Sequence, residues 1–254
     1  MIVVPFVCCG DPSFDFSFRL IKAIEPHCDF VELGIAFSDP IADGKTIQAA
    51  SNRALANGVS VQGSFALAKK LHETGFSKPF VFMTYYNIVF SFGKQNFLQK
   101  MKQVGVNNLL VVDLPFGEDK GFEALAKKNG VAIINLLTQK STDAVIKKIA
   151  LQKKPFVYLV SAKGVTGARN NVSRESIDFV KRVRRVVGED CILCVGFGIS
   201  KKAHAKKFFD AGASGVVVGS QIINIYSKFL DKNAVRDEAL SEVEGFVKSL
   251  KEVH

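Results

Sequence analysis

The sequence lacks any apolar run near the roughly 18 residues that a membrane-crossing helix needs. Its opening stretch, MIVVPFVCCG, carries no basic leader ahead of the apolar residues. Neither a membrane span nor a secretory signal is expected. A disulfide framework is also missing: five cysteines are an odd number without regular spacing, which fits reduced thiols in the cytoplasm. No Pro-, Gly- or Ser-rich linker and no low-complexity tract breaks the chain, so residues 1–254 read as one domain. Acidic residues are the minority, 24 against 34 Lys and Arg, for a net charge of +10. That excess leaves nucleic acid, an acidic partner or a phosphorylated substrate as candidate ligands. With 48% hydrophobic and 23% charged residues, the composition is that of a globular chain and excludes disorder.

What is present is alternation. β-Branched and aromatic runs predict strands at Ile2–Cys8, Phe30–Gly34, Pro79–Thr84, Asn108–Asp113, Val131–Leu136, Phe156–Val160, Ile192–Gly196 and Gly215–Val218. Segments of helical period follow them, at Phe14–Ile24, Ile47–Asn57, Ser64–Glu73, Lys94–Val104, Glu118–Lys128, Thr142–Ala150, Arg174–Val187, Lys201–Ala211 and Ala234–Val253. Eight strand–helix units in about 250 residues is the arithmetic of a (β/α)₈ TIM barrel. A doubly wound sheet usually announces a glycine fingerprint after its first strand, and here that strand runs into CCGDPS.

In such a barrel, chemistry sits where strands end. In FVELG, Val31 and Leu33 share one face and Glu32 the other, so if the former meet the outer helices, Glu32 points into the lumen. A carboxyl there loses solvation and its pKa rises toward a range useful for proton donation. The structural alternative is a rim glutamate in a salt bridge. The following loop holds Asp39 and Asp43, each of which could simply serve a turn or helix cap. Asp43 could equally pair with Glu32 as a second carboxyl at the same mouth. Late in the chain, GFGIS (Gly196–Ser200) and VVVGS (Val216–Ser220) put Gly198 and Gly219 at the last two strand ends, and Gly164–Gly167 could add an amide. Loops after strands seven and eight are the usual phosphate site of this barrel, although a tight turn alone can demand glycine.

Other motifs reduce to structure. Cys191 and Cys194 fall on opposite faces of a strand, and His27, His72, His204 and His254 are scattered, so no metal site is expected. The basic string Lys181–Arg185 lies in a helix, where exposed charge is ordinary, and no nucleic-acid motif accompanies it.

The string VELGIAFSDPIADGKTIQ (Val31–Gln48) closely resembles the signature of the tryptophan synthase alpha subunit family. VPFVCCGDP, YNIVF (Tyr86–Phe90), VVDLP (Val111–Pro115), YLVSAKGVTGAR (Tyr158–Arg169), GFGIS and VVVGS extend the likeness in order over most of the chain. The resemblance implies retro-aldol cleavage of indole-3-glycerol phosphate to indole and glyceraldehyde 3-phosphate, in an α2β2 heterotetramer whose beta subunit, and not this chain, carries PLP. It implies Glu32 as the acid/base at indole C3, Asp43 as holder of the indole N–H, and Tyr158, Phe6, Thr166 and Phe197 as the indole pocket. It further implies Gly167, Phe197, Gly198, Gly219 and Ser220 as the phosphate cradle, and Asp39, Pro40 and Pro115 as the face toward the beta subunit. Neither nucleic acid nor a membrane is an implied partner.

Two departures bear on rate. Family members usually carry proline where this chain has Ala36 and Lys45, which flank the loop that presents Asp43, and losing proline loosens a loop. Lys45 could also pair with Asp43. The family's short N-terminal helix over the barrel floor is expected to be absent or reduced. A lyase-impaired subunit that mainly activates its beta partner is therefore the alternative reading. A related phosphate-binding barrel of histidine or pentose metabolism is a weaker one.

Overall fold

The structure, a computed structural model, describes residues 1–160, 172–196, 198–230 and 236–253. Its strands are β1 (Ile2–Cys8), β2 (Val31–Gly34), β3 (Phe80–Thr84), β4 (Asn108–Val111), β5 (Ala132–Ile133), β6 (Leu136–Leu137), β7 (Val157–Val160), β8 (Leu193–Gly196) and β9 (Gly215–Val218). Its helices are α1 (Phe14–Ile24), α2 (Lys45–Ala56), α3 (Val61–Glu73), α4 (Tyr86–Phe92), α5 (Lys94–Gln103), α6 (Lys120–Lys128), α7 (Asp143–Ala150), α8 (Arg174–Val187), α9 (Lys202–Asp210), α10 (Ser220–Ser227) and α11 (Arg236–Lys251).

All strand pairs are parallel, in the order β5-β4-β3-β2-β1-β9-β8-β7-β6. The predicted fifth strand, Val131–Leu136, is split in two. Its first half pairs with β4 and its second with β7, and the hinge bonds both ways: Ile134 N donates to Leu109 O at 2.8 Å and Tyr158 N donates to Asn135 O at 3.1 Å. The split strand thereby closes the ring, and nine segments make eight staves of a (β/α)₈ barrel.

Alternation sorts the side chains into two cores. Val4, Val81, Leu110, Ile134, Phe156, Cys194 and Val217 fill the lumen, whereas Val31, Leu33, Phe82 and Leu109 pack outward on the helices. Each fully buried side chain of this size contributes roughly 1.5–3 kcal/mol. Helix starts follow their caps. Ser60 accepts from Gly63 N, so α3 begins at Val61 rather than at Ser64; Asp119 accepts from Phe122 N, so α6 begins at Lys120 rather than Glu118. β4 stops at Val111 instead of Asp113 because Asp113 turns to accept from Tyr86 N at 2.7 Å. Two helices, α4 and α10, lie outside the predicted set.

The basic string in α8 is not uniformly surface decoration. Arg184 donates to the carbonyls of Gly188, Cys191 and Gly212 and to Ser214 Oγ, and Arg182 donates to Asp143 and to the carbonyls of Gln139 and Ser141. Both clamp neighbouring turns, while Lys181 and Arg185 stay exposed.

Candidate active site at the strand ends

Glu32 lies in register between Phe6 of β1 and Val81 of β3, with Val31 and Leu33 buried on the helix side. Strand alternation thus sends its carboxyl inward, where it is 1% exposed and neither oxygen has a hydrogen-bond partner among the described residues. Burial, and secondarily the charge of Asp43, push its pKa up to about 8. Asp43, 3% exposed, accepts from Tyr85 Oη at 2.8 Å through Oδ2, while Oδ1 has no partner among the described residues. Its pKa rises to about 6 through burial, held back by the tyrosine bond. Near pH 7 the two carboxyls therefore differ: Glu32 holds its proton and Asp43 has mostly lost its own.

The loop presenting Asp43 is tied down although Ala36 and Lys45 stand at its two ends in place of proline. Tyr85 Oη also accepts from Ala42 N at 3.1 Å, Asp43 N donates to Pro40 O at 3.0 Å, and Gln48 Nε2 donates back to Asp43 O at 2.8 Å. Lys45 is exposed and makes no ion pair with the buried Asp43, contrary to the pairing considered from sequence.

One cleft collects Phe6, Glu32, Asp43, Tyr158, Gly198, Gly219 and Ser220. Sequence reasoning placed all seven there. Thr166, Gly167 and Phe197, with the Gly164–Gly167 loop, lie outside the described residues. Burial and the nearby Glu32 and Asp43 raise the Tyr158 pKa far above that of a free phenol, so its hydroxyl stays protonated. The glycines have a packing role as well as an open backbone. A Cβ on Gly34 would sit 2.4 Å from the Phe6 ring, one on Gly219 2.9 Å from it, and one on Gly196 2.6 Å from Tyr158 Oη. Gly219 is also the N-cap of α10, so that helix opens onto the cleft with no side-chain cap.

Tyr85, Ile47, Met83, Ile199 and Val217 were missed. Tyr85 had a usable signal: it is an aromatic with a polar tip one residue beyond the end of β3, where such barrels put their chemistry. Asp39 and Pro115 are exposed and Pro40 is half-buried on neighbouring loops. Ile41, next to Pro40, is 80% exposed, and Phe90, in the last turn of α4, is 65% exposed; sequence reading singled out neither. Among the described residues no cluster of three His, Cys, Asp or Glu could hold a metal, and no helix is long and apolar enough to cross a membrane.

Fold and cleft define the class: a (β/α)₈ barrel with two electrostatically distinct carboxyls at the C-terminal ends of its strands. Residues 1–253 match the family described as tryptophan synthase alpha chain. The Methanocaldococcus jannaschii tryptophan synthase alpha chain is 44% identical over 236 residues, covering 92% of this chain and 83% of that one. That of Methanococcus vannielii is 38% identical over 249 residues, covering 98% and 93%. A solved Pyrococcus furiosus structure, described as the tryptophan synthase α2β2 complex and its mutual activation, superposes with a TM-score of 0.87 at 37% identity, covering 98% of this chain and 97% of that one. The chain belongs to the tryptophan synthase alpha chain family.

Proposed function

We propose that this chain cleaves indole-3-glycerol phosphate to indole and glyceraldehyde 3-phosphate. The observation that carries the reading is the buried Glu32 carboxyl, without a partner among the described residues and lining one cleft with Asp43, where burial raises the pKa of Glu32 to about 8 and that of Asp43 to about 6. Glu32 donates its proton to indole C3 while Asp43 accepts the indole N–H and stabilises the positive charge growing on the ring. The C3 side-chain bond then breaks, its electron pair returns to the ring, and the adjacent hydroxyl proton passes to the Glu32 carboxylate as the aldehyde forms. Protons and electrons balance between substrate and Glu32, so the step calls for no cofactor in this chain. Tyr158 and Phe6 wall the indole, with Thr166 and Phe197. Gly198, Gly219 and Ser220, with Gly167, cradle the phosphate at the opening of α10.

A PLP-bearing beta subunit is the partner in this reading, docking on Asp39, Pro40 and Pro115. The exposed Ile41, next to Pro40, adds apolar surface of the kind an interface core needs to that face. The cytoplasm is the compartment proposed. A purely activating role lacks support, because the Asp43 loop is held by Tyr85 and Gln48 despite Ala36 and Lys45. The test is steady-state indole release from indole-3-glycerol phosphate by the chain with its beta partner; absence of turnover sinks the proposal.

A further inference from the structure

A third carboxylate is more deeply buried than either of these. Asp11, three residues past the end of β1, is 0% exposed. Arg53 grips it with two parallel bonds, Nε to Oδ1 at 2.8 Å and Nη2 to Oδ2 at 2.8 Å, and Tyr226 donates its hydroxyl to Oδ2. Arg53 belongs to α2 and Tyr226 to α10. Both helices begin at the cleft: α2 two residues after Asp43, and α10 at Ser220, behind Gly219. Arg53 lies about 12 Å along α2 and Tyr226 about 9 Å along α10, at 1.5 Å per residue. In the lyase reading α2 opens at the indole end of the substrate and α10 at its phosphate end, and one carboxylate bonds to both helices.

Resting on the lyase reading, we propose that Asp11, Arg53 and Tyr226 are positioning residues, a joint that sets the distance between the indole-holding Asp43 and the phosphate cradle at Gly219 and Ser220. Apolar contacts alone allow packed helices to slide, whereas a bidentate guanidinium–carboxylate fork and a hydroxyl bond fix direction as well as distance. The joint is itself anchored. Ser17 Oγ accepts from Gly10 N at 3.0 Å and its hydroxyl reaches Asp11 O at 3.2 Å, and Asn57 Nδ2, just past the end of α2, donates to Pro12 O at 2.6 Å. The Tyr226 ring packs on Phe16 of α1 with centroids 5.2 Å apart, so removing only its hydroxyl leaves the packing in place.

The test is Tyr226→Phe, with Arg53→Lys as a variant that keeps the charge and loses the fork, each assayed with the beta partner. Two probes separate the ends: glycerol 3-phosphate engages the cradle alone, and an indole-bearing alkyl phosphate spans both. The joint predicts that Tyr226→Phe lowers kcat about tenfold, since misplacement below an ångström is costly to a positioned reaction. It also predicts weaker binding of the spanning analogue, unchanged binding of glycerol 3-phosphate and a melting temperature lowered by only a few degrees, so that the variant stays fully folded under assay, with Arg53→Lys moving the same readouts. An unchanged kcat, equal weakening of both probes, or loss of kcat only in step with folded fraction overturns it. If the wild type fails to turn over, the lyase reading falls, while the two probes still decide whether the helices are coupled.

Discussion

Two buried aspartates in this barrel each accept a hydrogen bond from a tyrosine, and they are otherwise opposites. Asp11 also receives both arms of Arg53, so both of its oxygens are bonded. Asp43 receives only Tyr85, keeps one oxygen without a partner among the described residues, and faces a second carboxyl, Glu32, that has none. Burial is the same in kind at both places; pairing differs. A paired buried charge fixes geometry, whereas an unpaired one stores unfavourable electrostatic free energy that only a proton or a ligand relieves. The contrast explains why one cluster serves as a joint and the other as a site for proton transfer.

The sharpest way to break the contrast is Glu32→Gln. Removal of the proton donor is expected to cut indole release by about 10³-fold, within the usual range for general acid–base groups. The same change should stabilise the fold in alkaline solution. The folded pKa of about 8 stands above the ordinary 4.5, so this group's contribution to stability is intact below about pH 4.5 and is lost as pH rises toward 8. Denaturant titrations at pH 5 and pH 8 should show the variant gaining on the wild type by about 3–4 kcal/mol at the higher pH. A variant less stable than wild type at pH 8 would contradict the desolvation account.

Arg53→Met does the converse, converting the satisfied aspartate into a deprived one. Stripping one partner from a fully buried ion pair costs about 3–5 kcal/mol, and with Asp11 buried but Arg53 partly exposed, urea unfolding should show a loss of about 2–4 kcal/mol. A loss under 1 kcal/mol would place Asp11 with ordinary surface acids. The smallest effect is expected from Tyr85→Phe. The tyrosine bond is what holds the Asp43 pKa down, so without it the acid limb of the kcat/KM profile should move upward from about 6 by about one unit. An unmoved limb would remove Tyr85 from the mechanism.

Much of this contrast was legible beforehand, and its limits are physical. Strand parity alone turned Glu32 inward, because Val31 and Leu33 needed the helix side. The position of Asp43 before a helix was equally consistent with a simple cap and with a second carboxyl at the same mouth, and the family signature favoured the second. The Asp11 joint was invisible because its partners lie 42 and 215 positions away, and an arginine late in a helix reads as solvent-facing. Helix α10 escaped for a different reason: Gln221, Asn224 and Ser227 do share its outer face opposite the buried Ile222, Ile223, Ile225 and Tyr226, but eight residues make barely two turns, too short a stretch for a 3.6-residue period to stand out. The break in the fifth stave was hidden in the largely apolar run VAIINL, where the single polar residue, Asn135, does not by itself mark where a strand changes neighbours.

The central claim is that Glu32 keeps its proton at neutral pH because the barrel buries its carboxyl and no described residue bonds to it. Difference infrared spectroscopy of wild type against Glu32→Gln, followed from pH 4 to pH 10, reads that proton directly through the carboxylic acid C=O band. The account predicts that the band assigned to Glu32 persists through neutrality and disappears around pH 8; disappearance near the ordinary 4.5 would contradict it.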